Sequence, residues 1–148
     1  MPLSSWDDFA RAAPELAGFG GERLHGKVAY LATVRPDGAP RVHPVTPIVA
    51  QGRLFLFMEP SSPKGHDLLR GSGYALHAAV ADTSGGGGEF LVRGTARPVE
   101  DVQTRAGAVA GAPYPPLARY VLFELDVVEA RSTEYEGERP LRRRWGAT

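Results

Sequence analysis

One stretch of the chain carries residue types suited to holding an anion: Met58-Glu59-Pro60-Ser61-Ser62-Pro63-Lys64-Gly65-His66-Asp67-Leu68-Leu69-Arg70-Gly71. It follows the apolar, β-prone run Leu54-Phe55-Leu56-Phe57 and then reads as a helix start. Ser62 is a good N-cap, Pro63 suits the first helical position, and Asp67 falls in the early turns. Lys64 lies inside the first turn, where a cation is unfavourable for the helix dipole. Of the 17 basic residues only Lys27 and Lys64 are lysines. A strand that ends in hydroxyls and opens a helix with a lysine makes a phosphate-anchoring corner. An ordinary capped helix carrying an exposed lysine has the same sequence.

Other chemistries find less support. The histidines are His25, His43, His66 and His77, and no pair has the spacing of a helical zinc motif, so no metal site is expected. Cysteine is absent, which removes disulfides, thiolate nucleophiles and cysteine-based zinc sites together. No serine sits in a G-x-S-x-G elbow. The glycine run at 85–88 lacks dinucleotide-motif spacing and does not join a strand to a helix, so it reads as a hairpin tip. Nothing selects a side chain as catalytic acid or base. Arg142, Arg143 and Arg144 either solvate a C-terminal edge strand, form a patch for phosphates, or complete a partner subunit's pocket.

The 148 residues suit one domain, 1–148, with an N-terminal helical segment at 1–25 and a strand-rich body at 27–146. Formal charge is zero and the pI near 6.9, so no global field draws the chain to nucleic acid or an anionic membrane. No apolar run approaches the roughly 20 residues that span a bilayer. Asp7 and Asp8 stand where a secretion signal would be basic, and a cytoplasmic location is expected.

Ser5 can cap a short helix carrying Trp6 and Phe9, and Pro14 can start another with Leu16, Phe19 and Leu24; together they are expected to form a lid over one end of a sheet. From Lys27 the period becomes that of strands. Val28, Tyr30, Ala32 and Val34 alternate with Ala29, Leu31, Thr33 and Arg35, leaving both faces largely apolar. Pro36-Asp37-Gly38 is a turn, and 41–50 is the return strand, with Pro44 and Pro47 making it an edge or bulged strand. Gln51-Gly52 turns into Arg53–Met58. Further strands are expected at 74–80, 89–99, 120–130 and 140–145, with a helix at 100–111. About seven strands, tight hairpins and no βαβ repeat predict a mainly β fold, an antiparallel barrel with short peripheral helices.

Taken together, Leu31-Ala32-Thr33-Val34-Arg35-Pro36-Asp37-Gly38-Ala39-Pro40-Arg41-Val42-His43-Pro44-Val45 and the later Ser61-Ser62-Pro63-Lys64 resemble the pyridoxamine 5'-phosphate oxidase-like flavin-binding split barrels. The resemblance implies an antiparallel split β-barrel, a homodimer with the cofactor site at its interface, FMN as cofactor, and hydride transfer to or from a small organic substrate. It implies that Val42, His43, Pro44, Val45 and Thr46 line the ring and ribityl chain, that Phe57 and Met58 sit nearby, and that Ser62 and Lys64 contact the phosphate. The chain departs from the oxidases proper: Pro63 replaces an arginine, His43 an arginine and Glu89 a glutamine, and Glu129-Ala130-Arg131 lacks a tryptophan. Those departures point away from vitamin B6 oxidation. They leave the deazaflavin coenzyme F-420 as alternative cofactor and a non-catalytic flavin- or haem-binding protein as alternative function.

Overall fold

A computed structural model describes residues 3–146. Along these residues run α1 (Trp6–Ala12), α2 (Pro14–Leu24), β1 (Ala29–Val34), β2 (Pro40–Val45), β3 (Ile48–Ala50), β4 (Arg53–Met58), α3 (Pro63–Leu69), β5 (Gly73–Ala78), β6 (Glu89–Pro98), α4 (Val102–Gly111), β7 (Val121–Leu125), β8 (Glu129–Glu136) and β9 (Arg139–Gly146). Every pairing is antiparallel, in the order β2-β1-β5-β6-β7-β4-β3, with β8 also on β6 and β9 outside β8. The sheet curls into a half-barrel, the architecture expected from the strand pattern.

Nine strands rather than seven form because two of the expected strands are broken. The return strand divides at 46–47: β2 pairs with β1, whereas β3 pairs with β4 in the other half of the sheet. Pro47 has no N–H to continue a ladder, so the chain changes sheet there. The single strand expected at 120–130 also divides. From the pair Ala96–Leu125 to the pair Arg93–Glu129, β6 advances three residues while its partner advances four. The extra residue is a β-bulge, and it reverses the parity of the residues in the main core: Phe123 and Leu125 before it, Val127 within it and Ala130 after it. Opposite the bulge stands Gly94, where a Cβ would collide with the Asp126 carbonyl.

The helices correct another expectation. Helix α1 does begin at Ser5, whose hydroxyl accepts from the Asp8 N–H at 3.1 Å while Asp8 accepts from the Ser5 N–H at 2.9 Å. Yet Trp6, Phe9, Leu16 and Leu24 are buried in one cluster with Leu31, Leu54, Phe90 and Leu125. The first two helices therefore plug the half-barrel and are part of its core instead of a lid, because an open curled sheet leaves an apolar concave face that must be covered. Gly20 permits this, since any Cβ there would strike the Phe90 ring. A second cluster of Ile48, Phe55, Ala108 and Leu122 seats α4 on the opposite face of β4 and β7.

The C-terminal arginines do more than solvate an edge. Arg144 Nε lies 2.9 Å from the buried Glu129 carboxylate, which also accepts from Arg93 at 2.6 Å and Arg131 at 2.7 Å.

Candidate functional site

At the mouth where β2 leaves the sheet and β4 ends, a cleft of about 320 Å³ is lined by Pro44, Val45, Thr46, Phe57, Met58, Glu59, Lys64, Tyr114 and Tyr120. The volume is at the lower end for small-molecule sites, roughly 300–1,000 Å³. Six of the nine residues implied by the resemblance thus meet in one place: Pro44, Val45, Thr46, Phe57, Met58 and Lys64. Ser62 lies just behind, its hydroxyl 2.9 Å from Lys64 Nζ. Val42 and His43 do not line the cleft. Both are exposed on β2, and the His43 ring donates from Nδ1 to the Pro44 carbonyl at 2.8 Å.

The sequence elements explain the placement. Strand β2 is an edge strand that pairs only with β1, so one row of its backbone groups faces outward. Its end, Pro44 to Thr46, lines the cleft. Ser62 does not act as a side-chain cap, contrary to expectation: its hydroxyl is taken by Lys64 instead. Helix α3 has only seven residues, so the anchoring capacity of the corner resides in the Lys64 ammonium rather than in a helix dipole. Burial lowers the pKa of Lys64. Among the described residues no carboxylate lies within ion-pair distance of it, since the neighbouring Glu59 is held by Arg119 at 2.6 Å. Those bonds from Arg119 keep the Glu59 carboxyl below its ordinary range.

Three lining residues escaped sequence reasoning: Glu59, Tyr114 and Tyr120. The tyrosines come from the segment between α4 and β7, where Tyr114-Pro115-Pro116 reads only as an irregular corner and Tyr120 as the first residue of a strand. Arg105 of α4 fixes that segment by donating to the carbonyls of Tyr120 at 2.8 Å and Ala118 at 3.2 Å, with its guanidinium 5.2 Å from the Phe57 ring centre. Burial raises the Tyr114 pKa, and the adjacent Tyr120 adds to it, so the Tyr114 phenol stays a protonated donor near neutral pH.

Asp67 is the other unforeseen residue. It is fully buried and accepts from Thr33 Oγ1 and Arg41 Nε, each at 2.7 Å, and from Arg70. Burial raises its pKa, but the hydrogen bonds from Arg41 and Thr33 and the charge of Arg41 outweigh that and leave it lowered.

An antiparallel half-barrel plugged by N-terminal helices, with a cleft where its two sheet halves part, is a split β-barrel. The chain belongs to the pyridoxamine 5'-phosphate oxidase family, whose model matches residues 23–134. Solved structures agree on the fold. PhzG from Burkholderia lata 383, in complex with tetrahydrophenazine-1-carboxylic acid, is 18% identical, with a TM-score of 0.65 over 99% of this chain and 88% of that one. HutZ, the heme storage protein from Vibrio cholerae, is 21% identical, with a TM-score of 0.61 over 78% of this chain and 89% of that one. A putative pyridoxamine 5'-phosphate oxidase from Lactobacillus delbrueckii is 27% identical, with a TM-score of 0.55 over 70% of this chain and 83% of that one. No curated protein sequence matches significantly.

Proposed function

We propose that this protein is a cytoplasmic FMN-dependent oxidoreductase that acts on a small organic substrate as a homodimer. The observation that carries the reading is Lys64: a half-buried ammonium in a preformed cleft, bonded to a hydroxyl and without a carboxylate partner among the described residues. A partly desolvated cation without a counterion favours a bound anion. The donor set fits the cofactor. Lys64 and Ser62 suit a phosphate, the outward edge of β2 from Pro44 to Thr46 suits a flat ring with polar edges, and Phe57 and the two tyrosines offer aromatic walls. Bound FMN would supply the hydride-transfer chemistry. The protein's part would be to hold the phosphate, orient the ring against β2 and shield one face from water.

The cleft is small and open for a whole flavin, and the adjoining sheet face suits a second subunit. Tyr30, Ala32 and Val34 of β1 stand opposite Pro44, Val42 and Pro40 of β2, forming an apolar strip in which Val42 is 65% exposed. Such a strip bordering the cleft favours a dimer interface that completes the site.

Parallel titrations of the purified protein with FMN, coenzyme F-420 and haem, read by fluorescence and absorbance, test this. Micromolar or tighter binding of FMN alone is expected. Preference for the deazaflavin would change the cofactor and keep the anchor. Haem binding without either flavin would replace the enzymatic reading with a haem-binding one.

A further inference from the structure

The segment proposed to line the flavin ring and the one that carries the phosphate anchor share no backbone pairing. Strand β2 pairs only with β1, and α3 follows β4 in the other half of the sheet. One buried side chain joins them. Asp67 lies one helical turn after Lys64 on α3 and accepts hydrogen bonds from Arg41 of β2, Thr33 of β1 and Arg70 at the end of α3. Arg41 precedes Val42 on the strand that borders the cleft.

We infer that Asp67 is a positioning residue of the cofactor site, fixing α3, and with it Lys64, against β2 at the separation that spans a flavin's ring and phosphate. The inference rests on the flavin reading above. Two guanidiniums, those of Arg41 and Arg70, converge on this one carboxylate. Its neutralisation removes the buried charge that draws these two partly exposed guanidiniums, and with them β2 and α3, together, so α3 is expected to shift away from β2. This effect has the opposite sign to the simple field effect. Removing a negative charge one turn from Lys64 would by itself tighten anion binding, whereas misplacing Lys64 weakens it.

The test compares FMN with riboflavin, which lacks the phosphate, in wild type, Asp67→Asn and Arg41→Gln. Flavin fluorescence is read well below each variant's melting temperature. Both variants are expected to lose FMN affinity by about tenfold or more, the order of one charge-assisted contact. Riboflavin affinity should stay within about twofold, so the ratio of the two affinities falls toward one. Equal losses for both flavins would mean that Asp67 only supports the fold. Unchanged or tighter FMN binding would mean that it acts through its field or not at all. Either result overturns the inference while leaving the flavin reading intact. Failure of wild type to bind either flavin overturns both. Should Asp67→Asn not fold, Arg41→Gln decides alone, because Arg41 is partly exposed and its loss leaves Arg70 on the carboxylate.

Discussion

A lysine drawn partly out of water, with a hydroxyl beside it and no carboxylate opposite among the described residues, is stabilised by any anion that reaches it. Lys64→Ala should therefore weaken FMN binding by roughly 10- to 100-fold, the range of a charge-assisted contact, with little change in melting temperature. Burial lowers the Lys64 pKa from 10.5. FMN affinity is thus expected to fall as pH rises through that lowered value, at less alkaline pH than an exposed lysine would give; a titration across the alkaline range reads this. Glu129 gives a second pH signature. Burial alone raises its pKa, but the hydrogen bonds and charges of Arg131 and Arg93 outweigh it and bring the carboxyl from 4.5 to about 2. Its folded-state pKa is depressed, so its stabilisation is complete above the unfolded value and is lost as pH falls through the folded one. Glu129→Gln should cost stability near neutral pH, toward the low end of roughly 3–5 kcal/mol because the arginines are partly exposed. Urea denaturation of both proteins should show that difference shrinking as pH falls from 4.5 toward about 2.

At the scale of elements, the sheet departs from regular pairing in two places. Pro47 sends the chain from β2 to β3 and so from one half of the sheet to the other, next to the cleft lined by Pro44, Val45 and Thr46. The bulge at 126–128 lets β7 and β8 follow one edge of β6 while reversing which residues face the core. Gly94→Ala would set a methyl against the Asp126 carbonyl and is expected to cost about 1–3 kcal/mol, as overpacking does, measured by chemical denaturation. Ser5→Ala removes the acceptor for the Asp8 N–H and should cost about 1 kcal/mol by the same measurement. Because α1 belongs to the core, its loss should be felt as global rather than local unfolding.

At the scale of the molecule, the apolar strip on β1 and β2 and the cleft at the end of β2 share a strand, so under the proposed homodimer reading assembly and cofactor binding are expected to be coupled. Val42→Glu places a charge in the middle of that strip without touching the cleft lining. It should yield monomers in sedimentation and, with them, weaker FMN binding. Monomers with undiminished affinity would show that one subunit holds the cofactor by itself.

Much of this was legible without coordinates. Alternation of apolar residues identified the strands, Pro36-Asp37-Gly38 and Gln51-Gly52 marked their turns, and the order of these signals with Ser61-Ser62-Pro63-Lys64 pointed to the family. Local chemistry determines such features, since turn geometry and strand faces depend on residues a few positions apart. Tertiary structure decided the rest. Tyr120 reaches the cleft with its backbone held by Arg105 of another element, which also bonds the Ala118 carbonyl. Asp67, an unremarkable helix-start acid in the sequence, becomes a buried junction only where β1, β2 and α3 meet. The strand expected at 120–130 is broken by a bulge that the absence of a side chain at Gly94 of β6 accommodates. Each of these rests on contacts between residues distant in the chain, where packing and burial override local preference.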